Sequence, residues 1–166
     1  MAEVATAAGV SKPLLYHYFS TKSELYLAAV RSAADELSEA TRPDPALPVG
    51  LRLRKALTAH LDWIDDHALA YRAILQGGIS SDRHVQAIVE GSRADVVSRL
   101  AEALELGDLA PAQRIALWGW VGFLEGACLD WLAAKDISKP HLARLLGASV
   151  SGALRAAEVD PAPTDE

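Results

Sequence analysis

Apolar residues recur at intervals of three and four along almost the whole chain, and nowhere do they alternate with polar ones over the length of a strand. A period near 3.6 lays one apolar stripe along an α-helix, whereas a half-buried strand needs a period of two. The pattern predicts an all-α protein of about eight helices.

The helix stops are as legible as the stripes. Gly9 ends a first helix in which Val4, Ala5 and Ala8 share a face. Ser11 offers an N-cap, with Pro13 in the first turn, for a short helix from Lys12 to about Tyr18. Thr21 and Glu24 have the capping-box spacing and predict a helix to about Ala40. Pro43, Pro45 and Pro48 make residues 41–48 a connector. Val49, Leu53, Leu57, Leu61 and Ile64 mark the next helix. Asp65 or Asp66 is expected to cap a shorter one that ends at Gln76, before Gly77-Gly78. Ser81 or Asp82 is expected to cap a long helix with Val85, Val89, Val96, Leu100 and Leu104 on its apolar face and Gly107 at its end. Pro111 opens an apolar helix to about Lys135. Ser138 and Pro140 begin the last, striped by Leu142, Leu145, Leu146, Val150 and Leu154. Residues 158–166 are acidic and proline-containing, and a disordered tail is expected there.

At 166 residues the chain suits one compact domain, or one with a small appendage. A single cysteine, Cys128, excludes an internal disulfide framework and suits a reducing compartment, so a cytoplasmic location is expected. The first residues lack the basic and apolar regions of a signal peptide. Glu125, Asp130 and three glycines interrupt the apolar stretch from Ile115 to Ala134, which reads as a buried helix; no membrane partner is expected. The net charge of −6 excludes a uniformly basic coat. Residues 1–31, however, carry Lys12, Lys22 and Arg31 against Glu3 and Glu24, a surplus of one positive charge. The rest carries a surplus of seven negative charges, so any contact with DNA falls to the N-terminal segment.

That segment holds two short helices around a tight turn at Gly9-Val10, the helix-turn-helix layout, a pattern shared by an αα-hairpin inside a bundle. Its second helix offers Ser11, Lys12, His17 and Tyr18, with Tyr16 near the inner edge: donors and flat rings suited to phosphates and base edges.

The run Ala8-Gly9-Val10-Ser11-Lys12-Pro13-Leu14-Leu15-Tyr16-His17-Tyr18-Phe19, followed by Lys22 and Glu24-Leu25, closely resembles the signature of the tetracycline-repressor (TetR) family. The match is dense over about thirty residues; beyond them only helix number, order and length correspond. The resemblance implies a bacterial transcriptional regulator, a homodimer with an N-terminal DNA-binding domain and a helical effector-binding domain. It makes Lys12–Tyr18 the recognition helix and implies DNA contacts at Ser11, Lys12, Leu14, His17 and Tyr18. It implies that Tyr16 packs its ring inward with its hydroxyl on a phosphate, that Phe19 is core, and that Lys22 meets a phosphate at a helix N-terminus. The family places a complete helix ahead of the motif, whereas this chain begins at Met1 inside what looks like the motif's first helix. The expectation is an incomplete three-helix domain, less rigid over residues 1–20, with weak or absent DNA binding. The organisation read from all this is a truncated helix-turn-helix domain with its connecting helix over 1–40, an antiparallel helical bundle for effector binding and dimerisation over 41–157, and the tail over 158–166.

Residues 49–135 hold Trp63, Tyr71, Trp118, Trp120, Phe123 and Trp131, either core residues or the lining of a cavity. The candidate cavity wall is Trp63, Tyr71, Ile74, Leu75, Val89, Trp118 and Phe123, with His60, Gln76, Arg93 and Glu125 available to orient a small hydrophobic or aromatic effector. Gly119, Gly122 and Gly126, and then Gly147, Ala148, Ser151 and Gly152, permit close helix approach, within the chain or between chains. The resemblance implies a four-helix dimer interface, with Gly119, Gly122, Gly126, Leu142, Leu146, Gly147, Val150 and Ser151 as its candidate residues.

Enzyme signatures are lacking. No G-x-S-x-G, P-loop or dinucleotide fingerprint occurs, and Ser81, Asp82 and His84 fall within one turn at a helix start, where capping explains them. Asp62, Asp65, Asp66 and His67 read as a solvated helix end, and His17, His60, His67, His84 and His141 have no zinc spacing, so neither metal nor cofactor is expected. The function expected is a ligand-responsive repressor that binds double-stranded, palindromic operator DNA as a homodimer. The alternative is a helical dimerisation or small-molecule-binding module that does not bind DNA.

Overall fold

The computed structural model describes residues 1–76 and 83–158. The Gly77-Gly78 stop, the Ser81 or Asp82 cap and the tail beyond Glu158 lie outside the described residues, as does the side chain of Gln76. Among the described residues there are eight helices and no strand: α1 (Ala2–Ala7), α2 (Lys12–Tyr18), α3 (Lys22–Ala40), α4 (Val49–Asp66), α5 (Ala68–Gln76), α6 (Arg83–Ala103), α7 (Pro111–Ala134) and α8 (Lys139–Glu158).

Local chemistry accounts for most of the boundaries. Gly9 takes φ +67°, a conformation only glycine adopts freely. There its N–H reaches the Thr6 carbonyl at 3.2 Å and that of Val10 reaches Ala5 at 3.0 Å, satisfying carbonyls that α1 leaves open. Ser11 Oγ accepts from the Leu14 N–H at 3.3 Å and starts α2. Thr21 Oγ1 accepts from the Glu24 N–H at 3.1 Å and starts α3. Glu24 returns the bond to the Ser20 N–H at 2.8 Å, one residue ahead of the cap.

Two boundaries differ from expectation. Helix α6 ends at Ala103, before Gly107, because Glu105 turns the chain at φ 56° and the Leu106 N–H folds back to Ala101 at 3.0 Å. A non-glycine residue there costs about 1 kcal/mol or more, offset in part by the Glu105–Arg52 ion pair at 3.0 Å. At the α4–α5 junction Asp65 is drawn away to Lys135 and Lys139. His67 closes α4 instead, with Nδ1 at 2.9 Å from the Trp63 carbonyl and its ring stacked on Trp63 at 4.4 Å.

The core lies among α4, α6, α7 and α8: Leu57, Leu61, Ile64, Leu100, Leu117, Val121, Leu124, Cys128, Leu142, Leu146 and Val150 are buried together. Each such aliphatic side chain contributes about 1.5–3 kcal/mol by leaving water. Trp120 locks α7 to α8, donating from Nε1 to the Leu146 carbonyl and Ser149 Oγ, both at 3.0 Å. Trp131 donates to the Ile137 carbonyl at 2.8 Å. Leu142, Leu146 and Val150, at most 2 % exposed, are therefore part of the chain's own core and cannot form an outer face, contrary to expectation. The same α8 stripe that marks the helix in sequence is spent against α4 and α7. Helix α7 is long and apolar enough, by length and composition, to cross a bilayer, and seven of its residues are buried in this core.

Candidate functional site

Three surfaces bear on function. The first is the outer face of α2. Leu15 is its single buried residue, which turns the remaining side chains outward. Ser11, Lys12, Leu14, Tyr16, His17 and Tyr18 are all exposed, and Lys22 lies exposed at the first position of α3. Tyr18 is 70 % exposed and edge-on to His17 at 5.3 Å, so neither ring is spent on packing. Tyr16 departs from expectation. Its ring is exposed, not packed inward, because the inner position falls to Leu15 and the four-residue spacing sets Tyr16 beside Lys12, whose ammonium lies 5.9 Å from the ring. Phe19 is half-buried behind them. Hydroxyls, an ammonium, an imidazole and aromatic rings on one exposed helix can contact phosphates and base edges.

The second surface is internal. A pocket of about 590 Å³, counting its solvent-open part, is walled by α3, α4, α5, α6 and α7. Trp63, Tyr71, Ile74, Leu75 and Val89 come together around it. Trp118 and Phe123 do not line it. They lie 36 % and 43 % exposed on the outer side of α7, whose inner side is already occupied by Leu117, Trp120, Val121 and Leu124. Helix α3 also contributes to the wall through Ala33, Ala34 and Leu37, which the sequence reading missed. Two adjacent alanines followed by a leucine one turn on was the available signal. A neighbouring cavity of about 460 Å³ shares His60, Val96 and Leu124 with the first.

Of the proposed orienting groups, Arg93 and Glu125 are bound to each other by two hydrogen bonds, at 2.9 and 2.8 Å, and Arg93 also reaches Glu90 at 2.7 Å. The Glu125 hydrogen bonds raise the Arg93 pKa further above its ordinary value. His60 is buried, and burial, with Arg99 nearby, pushes its pKa down to about 4, so the imidazole is neutral at pH 7. Burial raises the Tyr71 hydroxyl well above its usual range, with Cys128 and Glu125 beside it. The Cys128 thiol is pushed up to about 12 by the same desolvation.

Helix α3 ties the two regions together. It begins three residues after α2 and is fastened to the body by side chains along its length. Tyr26 Oη donates to the Ala73 carbonyl of α5 at 3.2 Å. Ser38 Oγ donates to Asp95 of α6 at 3.0 Å. Arg99 of α6 donates to the Ser38 carbonyl and, at 3.0 Å, to Thr41 Oγ1.

The third surface is the outside of α7 and α8. Ile115, Trp118, Gly119, Gly122, Phe123 and Gly126 follow one another at helical spacing and are all exposed, as are Leu145 and Ser151 on α8. A side chain built at Gly119, Gly122 or Gly126 would meet nothing within 4 Å. Gly147 instead faces inward, where a Cβ would lie 3.7 Å from Leu57 Cδ1 of α4. Among the described residues no cluster suited to a metal ion occurs: Asp62 and Asp65 are paired with Lys139, at 2.8 and 3.1 Å.

This arrangement has close relatives. A family model described as "Bacterial regulatory proteins, tetR family" matches residues 1–29, and one described as "Tetracyclin repressor-like, C-terminal domain" matches residues 49–151. The HTH-type transcriptional activator FasR of Mycolicibacterium smegmatis is 38 % identical over 92 residues, covering 54 % of this chain and 42 % of that protein. The chain thus spans less than half the length of that relative. A tetR-family transcriptional regulator from Streptomyces coelicolor superposes with a TM-score of 0.85 at 28 % identity, covering 94 % of this chain and 71 % of that one. A TetR-like transcriptional regulator from Rhodococcus sp. RHA1 gives 0.72 at 27 % identity over 92 % and 82 %.

Proposed function

We propose that this chain, which belongs to the TetR family of bacterial regulatory proteins, works as a ligand-responsive transcription regulator that grips duplex DNA through α2 as a homodimer. The family is one of regulators, not enzymes. The observation that carries the proposal is the position of α3. One helix continues from the exposed α2 and also forms a wall of the apolar pocket through Ala33, Ala34 and Leu37. A molecule entering the pocket presses on that wall, and a tilt of α3 moves α2 with it.

In a two-fold dimer, two α2 helices sit about one DNA turn apart, roughly 34–36 Å, and match a palindrome. The exposed stripe of Ile115, Trp118, Gly119, Gly122, Phe123 and Gly126 is the proposed seat of the second copy. Ligand binding then shifts the population between a dimer that fits the operator spacing and one that does not. Such a regulator acts in the cytoplasm, where bacterial DNA lies.

Repression is the first reading. A second is activation, favoured by the printed name of the FasR relative. Selection of duplexes from random DNA tests the core claim: enrichment of a palindrome supports it. Failure to enrich any sequence would make the DNA-independent dimerisation or ligand-binding module the better account. A promoter reporter carrying the selected site then decides between repression and activation.

A further inference from the structure

Folded proteins give nearly every buried polar atom a hydrogen-bond partner, and an exception calls for an explanation. Three side chains of this one pocket are exceptions: His60 Nε2, Trp63 Nε1 and Tyr71 Oη are buried with no partner. All three residues are more than nine-tenths buried. His60 and Trp63 are one turn apart on α4, and Tyr71 of α5 meets His60 edge-on at 6.0 Å, so the three stand together on the α4–α5 wall. Each unsatisfied group costs about 1–3 kcal/mol in such a place.

The facing α6–α7 wall carries charge, but none of it is uncommitted. Arg93 is held by Glu125 and Glu90, and Glu125 gives both oxygens to Arg93. An anion must take Arg93 from its carboxylates and strands the mostly buried Glu125. A cation must break the two-bond fork from Arg93 to Glu125, leaving Arg93 only its Glu90 contact. The indole N–H is a donor only, and the Tyr71 hydroxyl can donate. The hydroxyl interacts with the Cys128 thiol, but sulfur is a weak acceptor and the contact falls short of hydrogen-bond geometry, so an oxygen acceptor displaces it readily. Ile74, Leu75 and Val89 supply an apolar remainder.

We infer that the pocket takes an uncharged, largely apolar molecule whose polar group is a hydrogen-bond acceptor, a carbonyl-type oxygen, held by Trp63 Nε1–H and the Tyr71 hydroxyl. This deepens the ligand-responsive reading above and rests on it.

The test uses the full chain and four probes with one naphthalene body, measured by equilibrium dialysis: 2-acetylnaphthalene, 2-ethylnaphthalene, 2-naphthoate and 2-naphthylmethylammonium. The acetyl compound is expected to bind about tenfold more tightly than each of the others, the effect of one to two neutral hydrogen bonds. Tyr71→Phe removes only a hydroxyl and should cut acetyl binding about threefold while leaving ethyl binding within about twofold. Trp63→Phe should reduce the acetyl preference further, with ethyl binding again reporting an intact pocket. Equal binding of acetyl and ethyl probes, or tightest binding of either charged probe, overturns the inference and leaves the pocket standing as a ligand site. Binding of none of the four overturns both.

Discussion

Arg93 of α6 and Glu125 of α7 meet in a fork-to-fork ion pair, Nε to Oε1 at 2.9 Å and Nη2 to Oε2 at 2.8 Å, on the wall of the apolar pocket. Both are partly screened, with side chains 31 % and 19 % exposed. Arg93→Met leaves the Glu125 carboxylate largely buried and alone. The expected loss is about 1–2 kcal/mol in urea unfolding, less than for a fully buried pair because water reaches both groups. Arg93→Met with Glu125→Leu removes the stranded charge and should recover most of that loss. A double variant as unstable as the single would mean that the pair's packing, not its charge, holds α6 to α7.

His60 makes stability depend on pH. Its pKa falls from 6.5 to about 4 on folding, chiefly through burial. Between those values the unfolded chain binds more protons than the folded one, so stability rises with pH through the window. The full contribution is present above about pH 6.5 and is lost as pH falls toward 4, by about 3 kcal/mol at most. Comparing urea midpoints at pH 4.5 and 7.5 for the wild type and His60→Gln checks this. The variant should lose most of the His60 part of the pH slope, and an unchanged slope would place the titration elsewhere.

What the sequence revealed follows from how local each signal is. Gly9, Ser11, Thr21 and Glu24 act within four residues of themselves, so α1, α2 and α3 were legible to within a residue or so. The end of α6 was not, because Glu105 turns there with help from Arg52, far away in sequence. Helix α7 defeated the assignment of its aromatic residues for another reason. It is apolar on both sides, with Trp120 and Leu124 inward and Trp118 and Phe123 outward, and a helix without a polar face does not announce which side is buried. In α8 the stripe holds at Leu142, Leu146 and Val150 but not at Leu145, which is exposed, and the three buried residues belong to the chain's own core rather than to a partner.

The DNA-binding proposal makes Lys22 a phosphate contact. It is exposed at the start of a 19-residue helix, where backbone N–H groups also favour an anion. Lys22→Ala should weaken binding to all duplexes about equally and lower the slope of log affinity against log salt by about one. His17→Ala, on the exposed face of α2, should instead lower the preference for the selected site over random DNA. Gel-shift titrations at several salt concentrations separate the two effects. An unchanged salt slope removes Lys22 from the interface.

The outer stripe of α7 yields the sharpest opposition. Gly119, Gly122 and Gly126 lie in the interior of a 24-residue helix, where each costs about 1 kcal/mol relative to alanine. Among the described residues nothing accounts for that cost, since a Cβ at any of the three would meet no atom within 4 Å. A second copy seated closely on the stripe does account for it. Gly122→Ala should therefore stabilise the monomer by up to about 1 kcal/mol, measured by urea unfolding under dissociating conditions. The same change should raise the dimer dissociation constant about tenfold in sedimentation equilibrium, because the added methyl meets the partner's helix. Trp118→Ala should also weaken the dimer while leaving probe binding in the pocket within about twofold, since Trp118 is outside it. If Gly122→Ala leaves the association constant unchanged, the stripe is not the interface; if it destabilises the monomer as well, close packing within the chain is the reason for the glycines.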